Sequence, residues 1–144
     1  HFLNVDQFKS AILQNRFFEF QEVYENQFYG TLHDELQGIW NQNKIALLDI
    51  DVKGAHLIEN KANYDILSIF VKASSIDILR QRLQKRGTDA PEQIEKRLQK
   101  ASEEMEYAKY FDYVITNDKL ELAQRLILEI VLDFMADAAP NSSR

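Results

Sequence analysis

A chain of 144 residues, 45% apolar and 28% charged, suits one soluble globular domain with a core of its own. Seventeen Lys and Arg against 23 Asp and Glu leave a net charge of −6, a poor footprint for non-specific nucleic-acid binding, although a local basic cluster on an acidic body stays open. The lack of cysteine excludes a disulfide framework and any thiolate metal site. The longest apolar runs, residues 45–48 and 126–132 (broken by Glu129), are far too short to span a bilayer. The chain opens on His1-Phe2, with no initiator Met and no recognisable targeting segment. A cytoplasmic location is expected. Only four glycines occur, Gly30, Gly38, Gly54 and Gly87. None has the spacing of Gly-x-x-x-x-Gly-Lys-Ser/Thr or Gly-x-Gly-x-x-Gly, so these residues hold no backbone cradle for a nucleotide's phosphates.

In chain order, residues 5–15 predict a short helix with Phe8, Ile12 and Leu13 on one face and Asp6 as its cap. Residues 17–24 (FFEFQEVY) are aromatic and β-branched and predict a strand; residues 26–30 predict a turn into a second extended piece. Leu32, Leu36, Ile39 and Trp40 predict a helix over 32–43. Residues 45–50 (IALLDI) and 66–71 (ILSIFV) are nearly continuous apolar runs, as expected of parallel strands buried on both faces, with a crossover helix over 54–63 between them. A helix over 75–85 carries Ile76, Leu79 and Leu83 on one face, capped by Ser74 or Ser75. After a loop at 87–90, Pro91 opens a helix running to about residue 110. A short strand at 113–116, a striped helix over 120–135 and a disordered tail over 138–144 complete the series. Strands alternating with helices imply an α/β layered fold with a parallel sheet.

Certain side chains could carry chemistry. Asp51 follows the 45–50 run directly, where α/β folds bind ligands and where an Asp commonly positions Mg²⁺; the other reading is a cap on the helix that follows. Arg80, Arg82, Lys85 and Arg86, then Arg97, flank the Gly87-Thr88 loop. They read either as a phosphate-binding lid or as a solvated helix face with pairs such as Glu92–Lys96, the commoner arrangement. Glu19 lies in an aromatic strand where an unpaired carboxylate is costly, so it either meets a ligand with two adjacent N–H donors, such as guanine, or faces solvent. Tyr29-Gly30-Thr31 offers two hydroxyls suited to phosphate or ribose, or simply makes a turn. His1, His33 and His56 lack metal-ligand spacing and read as surface residues; the aromatics read as core.

Taken together and in order, six segments resemble the guanylate kinase family. They are Phe17-Phe18-Glu19, Asn26-Gln27-Phe28-Tyr29-Gly30-Thr31, and Leu48-Asp49-Ile50-Asp51-Val52-Lys53-Gly54. Next come Arg82-Leu83-Gln84-Lys85-Arg86-Gly87-Thr88, Lys96-Arg97-Leu98, and Phe111-Asp112-Tyr113 leading to Asn117-Asp118. The likeness covers residues 2–134. It implies a P-loop nucleoside-monophosphate-kinase type three-layer α/β fold with a parallel sheet, a small β-containing GMP-binding unit and a helical lid. The implied division is 1–31 for the GMP-binding unit, 32–83 for the core with its Walker-B-like strand, 84–101 for the lid, 102–137 for the rest of the core, and 138–144 for the tail. The implied reaction is transfer of phosphate from ATP to GMP (or dGMP) with Mg²⁺, in purine nucleotide metabolism, with no nucleic acid or membrane as partner. By motif, Glu19 would hold the guanine edge, while Tyr29, Thr31 and Asp51 would line the GMP site. Asp51 would reach Mg²⁺ through water at most, so no direct metal ligand is implied. Arg86 and Arg97 would be the catalytic lid arginines. Asn117 and Asp118, with Arg82 as a weaker member, would adjoin ATP.

The departures are Phe28 for a frequent Tyr, Lys53 for a frequent Gln, and Ala73-Ser74-Ser75 for Pro-Pro-Ser. The larger one is the family's opening strand and P-loop, with its GMP-phosphate arginine segment, which has no counterpart in these residues. That strand would lie between the 45–50 and 66–71 strands, so its lack leaves two unpaired edges and an isolated chain that folds poorly. The expectation is an excerpt of a longer enzyme, inactive alone, or a chain completed by another chain or another copy, for instance as a homodimer. The alternative is a catalytically inactive guanylate-kinase-like module that binds phosphopeptides.

Overall fold

The computed structural model describes residues 3–59 and 64–138, in two compact units, His1–Lys61 and Ala62–Arg144. The first unit opens with α1 (Val5–Leu13). Its cap is Asn4, not Asp6: the Asn4 side chain accepts from the Gln7 amide while the Gln7 side chain accepts from the Asn4 amide. This reciprocal box satisfies two orphan donors, and Asp6 sits inside the first turn, where its charge suits the helix dipole.

Strands β1 (Phe17–Tyr24) and β2 (Gln27–Leu32) form an antiparallel hairpin. Tyr24 pairs with Gln27, so Glu25 and Asn26 make the turn, and Asn26 takes the positive φ of 60° that the tight reversal needs. Phe8 stacks on Phe17 at 4.3 Å and on Phe28 at 5.2 Å, and Ala11, Ile12 and Leu32 complete this small core. Helix α2 (His33–Trp40) buries Leu36 fully, as its spacing predicts. Helix α3 (Val52–Glu59) packs against β1 and buries Ile58; positions 60–63 of the expected 54–63 helix lie outside the described residues.

The expected strand at 45–50 is not a strand. These residues join no ladder among the described residues, and Ile45 and Leu47 are exposed, Leu47 to 93%. Apolar composition favours burial, but a strand exists only when its backbone N–H and C=O groups meet a neighbour's.

In the second unit, β3 (Ile69–Lys72) runs parallel to β4 (Tyr113–Thr116) in a two-stranded sheet. The first part of the expected 66–71 strand is irregular, so β3 begins three residues later. Its entry is clamped by Asp112, whose Oδ2 accepts from the Ser68 amide at 2.7 Å and the Ser68 hydroxyl at 2.8 Å. The crossover runs through α4 (Ile76–Arg86), capped by Ser75 rather than Ser74, and α5 (Pro91–Glu104), with Pro91 in its first turn. The expected continuation to residue 110 changes to a tighter 3-10 helix over Met105–Tyr110. Helix α6 (Leu120–Ala138) buries Ala123, packs on β4, and leaves Leu122, Leu126, Leu128 and Leu132 exposed. Residues 139–144 of the expected tail lie outside the described residues, while Ala138 closes α6.

Candidate active site

The hairpin register shapes a pocket within the first unit. Glu19 stands opposite Thr31, so both side chains share one face, and the Thr31 hydroxyl donates to Glu19 Oε1 at 2.7 Å. Between them the strands approach so closely that a Cβ on Gly30 would lie 2.7 Å from the Glu19 carbonyl oxygen. Glycine is therefore required there. The first turns of α3 close in from the other side. A Cβ on Gly54 would stand 2.9 Å from Glu19 Oε2.

Glu19 is only 6% exposed, and among the described residues its hydrogen-bond partner is the Thr31 hydroxyl alone. The solvent-face reading of Glu19 is thereby overturned. A buried carboxylate with so little compensation is held at a cost unless a ligand supplies donors. It lines a cavity of about 450 Å³, together with Gln21, Tyr29, Thr31, Asp49 and Asp51. Four of the residues singled out from sequence, Glu19, Tyr29, Thr31 and Asp51, thus meet around one space.

Asp51 starts the helix that follows it, as one of its two readings has it. Its Oδ1 accepts from the Lys53 amide at 3.0 Å and its carbonyl from the Ala55 amide at 2.9 Å, which starts α3. It also lines the cavity beside Asp49. Of the histidines, His33 is exposed and meets Phe18 edge-on, while His56 is half-buried in α3 rather than a surface residue; His1 lies outside the described residues.

The second unit carries the arginines. Helix α4 ends on Gly87, whose φ of 67° is the left-handed cap glycine supplies freely. Arg86, in the last turn of α4, is exposed and has no partner among the described residues. Arg97, on α5, has its Nε 3.3 Å from Asp89 Oδ2. Arg80 pairs instead with Glu95 and ties α4 to α5, so it is structural; the suggested Glu92–Lys96 pair does not form, whereas Lys100–Glu104 does. Arg82 donates to the carbonyls of Asn117 at 2.6 Å and Asp118 at 3.2 Å, and its guanidinium lies 3.5 Å from Asp118 Oδ1. The three residues assigned to the ATP side by motif therefore form one cluster. Within it, hydrogen bonds from Ser74, and then the charge of Arg82, hold the Asp118 carboxyl below its ordinary range.

Sequence reasoning missed Asp89, the contact of Ser74 with Asp118 and the part Gly54 plays. An acid two residues past a helix-ending Gly and eight before Arg97 was the available signal for Asp89.

A family model described as guanylate kinase matches residues 1–133. A guanylate kinase of Bacteroides thetaiotaomicron is 42% identical over 93% of this chain and 66% of its own length. One from Porphyromonas gingivalis is 40% identical over 94% of this chain and 72% of its own. The chain thus spans about two thirds of the length of these relatives. A crystal structure of guanylate kinase from Anaplasma phagocytophilum superimposes with a TM-score of 0.72 at 26% identity, covering 98% of this chain and 65% of that one. The mixed α/β fold is accordingly that of the P-loop nucleoside-monophosphate kinases. With a match over nearly its whole length and a relative above 40% identity, the chain belongs to the guanylate kinase family.

Proposed function

We propose that the gene product carrying these residues transfers the γ-phosphoryl group of ATP to GMP. A phosphate oxygen of GMP attacks the γ-phosphorus; the new O–P bond forms as the bond to the β–γ bridging oxygen breaks, and ADP leaves with GDP as product. The observation that carries this reading is Glu19, a buried carboxylate with one weakly compensated oxygen on a cavity wall. Guanine offers two adjacent N–H donors on its Watson–Crick edge and matches a carboxylate with two parallel bonds. Adenine offers an acceptor there and would leave the buried charge opposed.

Thr31 fixes the carboxylate by donating to Oε1, and Tyr29, 63% exposed at the cavity wall, supplies a hydroxyl for the nucleotide. Arg86 and Arg97 neutralise charge spreading over the transferring phosphate; Asn117, Asp118 and Arg82 adjoin the ATP base. Asp49 and Asp51 suit Mg²⁺, which is usually held by one or two carboxylates, waters and substrate phosphates, with Asp51 acting through water. When bound, Mg²⁺ supplies charge neutralisation between the phosphates.

The cradle for the ATP phosphates is supplied from outside these 144 residues, by another stretch of the gene product, another chain or another copy. No helix among the described residues is long and apolar enough to cross a membrane. A cytoplasmic location is part of the proposal and rests on the likeness to guanylate kinases. The test is steady-state phosphorylation of GMP and AMP by the gene product and its Glu19→Gln variant. Wild type is expected to favour GMP strongly. Glu19→Gln is expected to lose roughly 10²–10³-fold in kcat/KM for GMP, since one of two charge-assisted hydrogen bonds becomes a donor–donor clash. A wild type indifferent to the base would overturn the proposal.

A further inference from the structure

Asp89 lies in the loop between α4 and α5, two residues past the left-handed Gly87. Its side chain is 11% exposed, and Oδ2 is wholly shielded from solvent without a hydrogen bond of good geometry. The group that faces it is the Arg97 guanidinium, with Nε 3.3 Å from that oxygen. This is a charge contact short of an aligned hydrogen bond. Such a carboxylate is a poor structural investment: shielding costs it water, and its acceptor goes unmatched.

Nor does the helical hairpin need Asp89 as a tie. Arg80 and Glu95 already join α4 to α5, and Lys100–Glu104 pairs along α5. What Asp89 does is fix one corner of a planar group. With Nε turned to Asp89, the two terminal amino groups of Arg97 keep no partner among the described residues. Those two groups form the fork that meets phosphate oxygens in pairs.

We propose that Asp89 is a positioning residue for phosphoryl transfer, holding Arg97 through Nε so that its terminal amino groups are presented to the transferring phosphate. This rests on the kinase reading above. Because the bond to Nε is imperfectly aligned, the guanidinium can rotate onto a bound phosphate without first breaking a strong hydrogen bond. Because the acid sits in the loop and the arginine on the helix, the contact also couples the loop conformation to the arginine's placement.

The experiment is a double-mutant cycle in the gene product, with Asp89→Asn, Arg97→Ala and the pair, reading kcat and both KM values. Asp89→Asn is expected to lower kcat about 10–100-fold, as small misplacements of reacting groups do, with KM for GMP within about threefold. The double variant is expected to be no slower than Arg97→Ala alone, because the acid acts only through the arginine. Losses that multiply, or a kcat for Asp89→Asn within about twofold of wild type, would overturn the inference while leaving the kinase reading intact. A wild type that does not phosphorylate GMP would overturn that reading, and this inference with it. Should the variants fail to fold, nitrogen-15 spectra of the wild type decide. A distinct Arg97 Nε–H resonance with restricted side-chain motion beside an averaged Arg86 signal supports the anchor, and coincident, averaged signals overturn it.

Discussion

Replacing Gly54 by alanine tests how tightly the buried carboxylate is held. The new Cβ would stand 2.9 Å from Glu19 Oε2, whereas ordinary contact begins at 3.4 Å, so something must move by about 0.5 Å. Helix α3 is a poor candidate, since its backbone carries its own ladder and Ile58 is locked into the unit. The carboxylate is freer, yet its other oxygen is tied to Thr31 at 2.7 Å, so shifting it lengthens that bond or turns the carboxylate plane. Misplacing a binding group by about 1 Å costs on the order of 10²-fold, so half that displacement should cost roughly tenfold or somewhat more in kcat/KM for GMP. KM for ATP should stay unchanged. The assay is a coupled ADP-release measurement with each nucleotide varied in turn, beside a thermal melt. Gly38→Ala is the control: a Cβ there meets nothing within 4 Å, and in a helix it should stabilise by roughly 0.5–1 kcal/mol without touching kinetics. An unaltered kcat/KM for GMP in a folded Gly54→Ala protein would refute the claim that this glycine sets the position of Glu19.

Three further outcomes are expected. Arg97→Ala should lower kcat by about 10³-fold or more, as loss of an arginine that stabilises transferred phosphate does; a near-normal rate in initial-velocity assays would return Arg97 to an ordinary helix face. Asp118 should titrate below the ordinary aspartate value of 3.8, read by NMR of its side-chain carboxyl, because Ser74 and Arg82 favour the charged form. A depressed folded-state value means that its contribution to stability is present above the unfolded value and is lost as pH falls through the folded one; a midpoint at or above 3.8 would refute this. Finally, the 144-residue polypeptide alone should show no turnover of GMP with ATP and Mg²⁺, and measurable turnover would refute the need for a phosphate cradle outside it.

Legibility in the sequence followed the range of the forces involved. Ser75 was one of two proposed caps for α4 because a cap depends on neighbours within a few positions, and Tyr113–Thr116 was readable to the residue because its local pattern does meet a distant partner, Ile69–Lys72. Residues 45–50 were misread as a strand for the opposite reason: their apolar content is local, whereas the backbone partner a strand needs is not. The candidate site residues were legible as motif members, yet where competing readings separated they did so only in three dimensions. Glu19 resolved to a buried acid, Arg80 to a structural tie, and Asp51 to a helix starter that also lines the cavity.

The resemblance of the motifs in their order therefore gave the family, while periodicity and residue type gave the hairpin, the helices and the lack of a phosphate cradle in these residues. Tertiary structure alone decided which charges lost water and which partners they found. Glu19 meets Thr31 across 12 positions of sequence, Ser74 meets Asp118 across 44, and Arg97 meets the shielded Asp89 from the next helix. A side chain's chemistry depends on its solvation and on the charges a few ångströms away, and those are set by packing between segments that the linear order keeps apart.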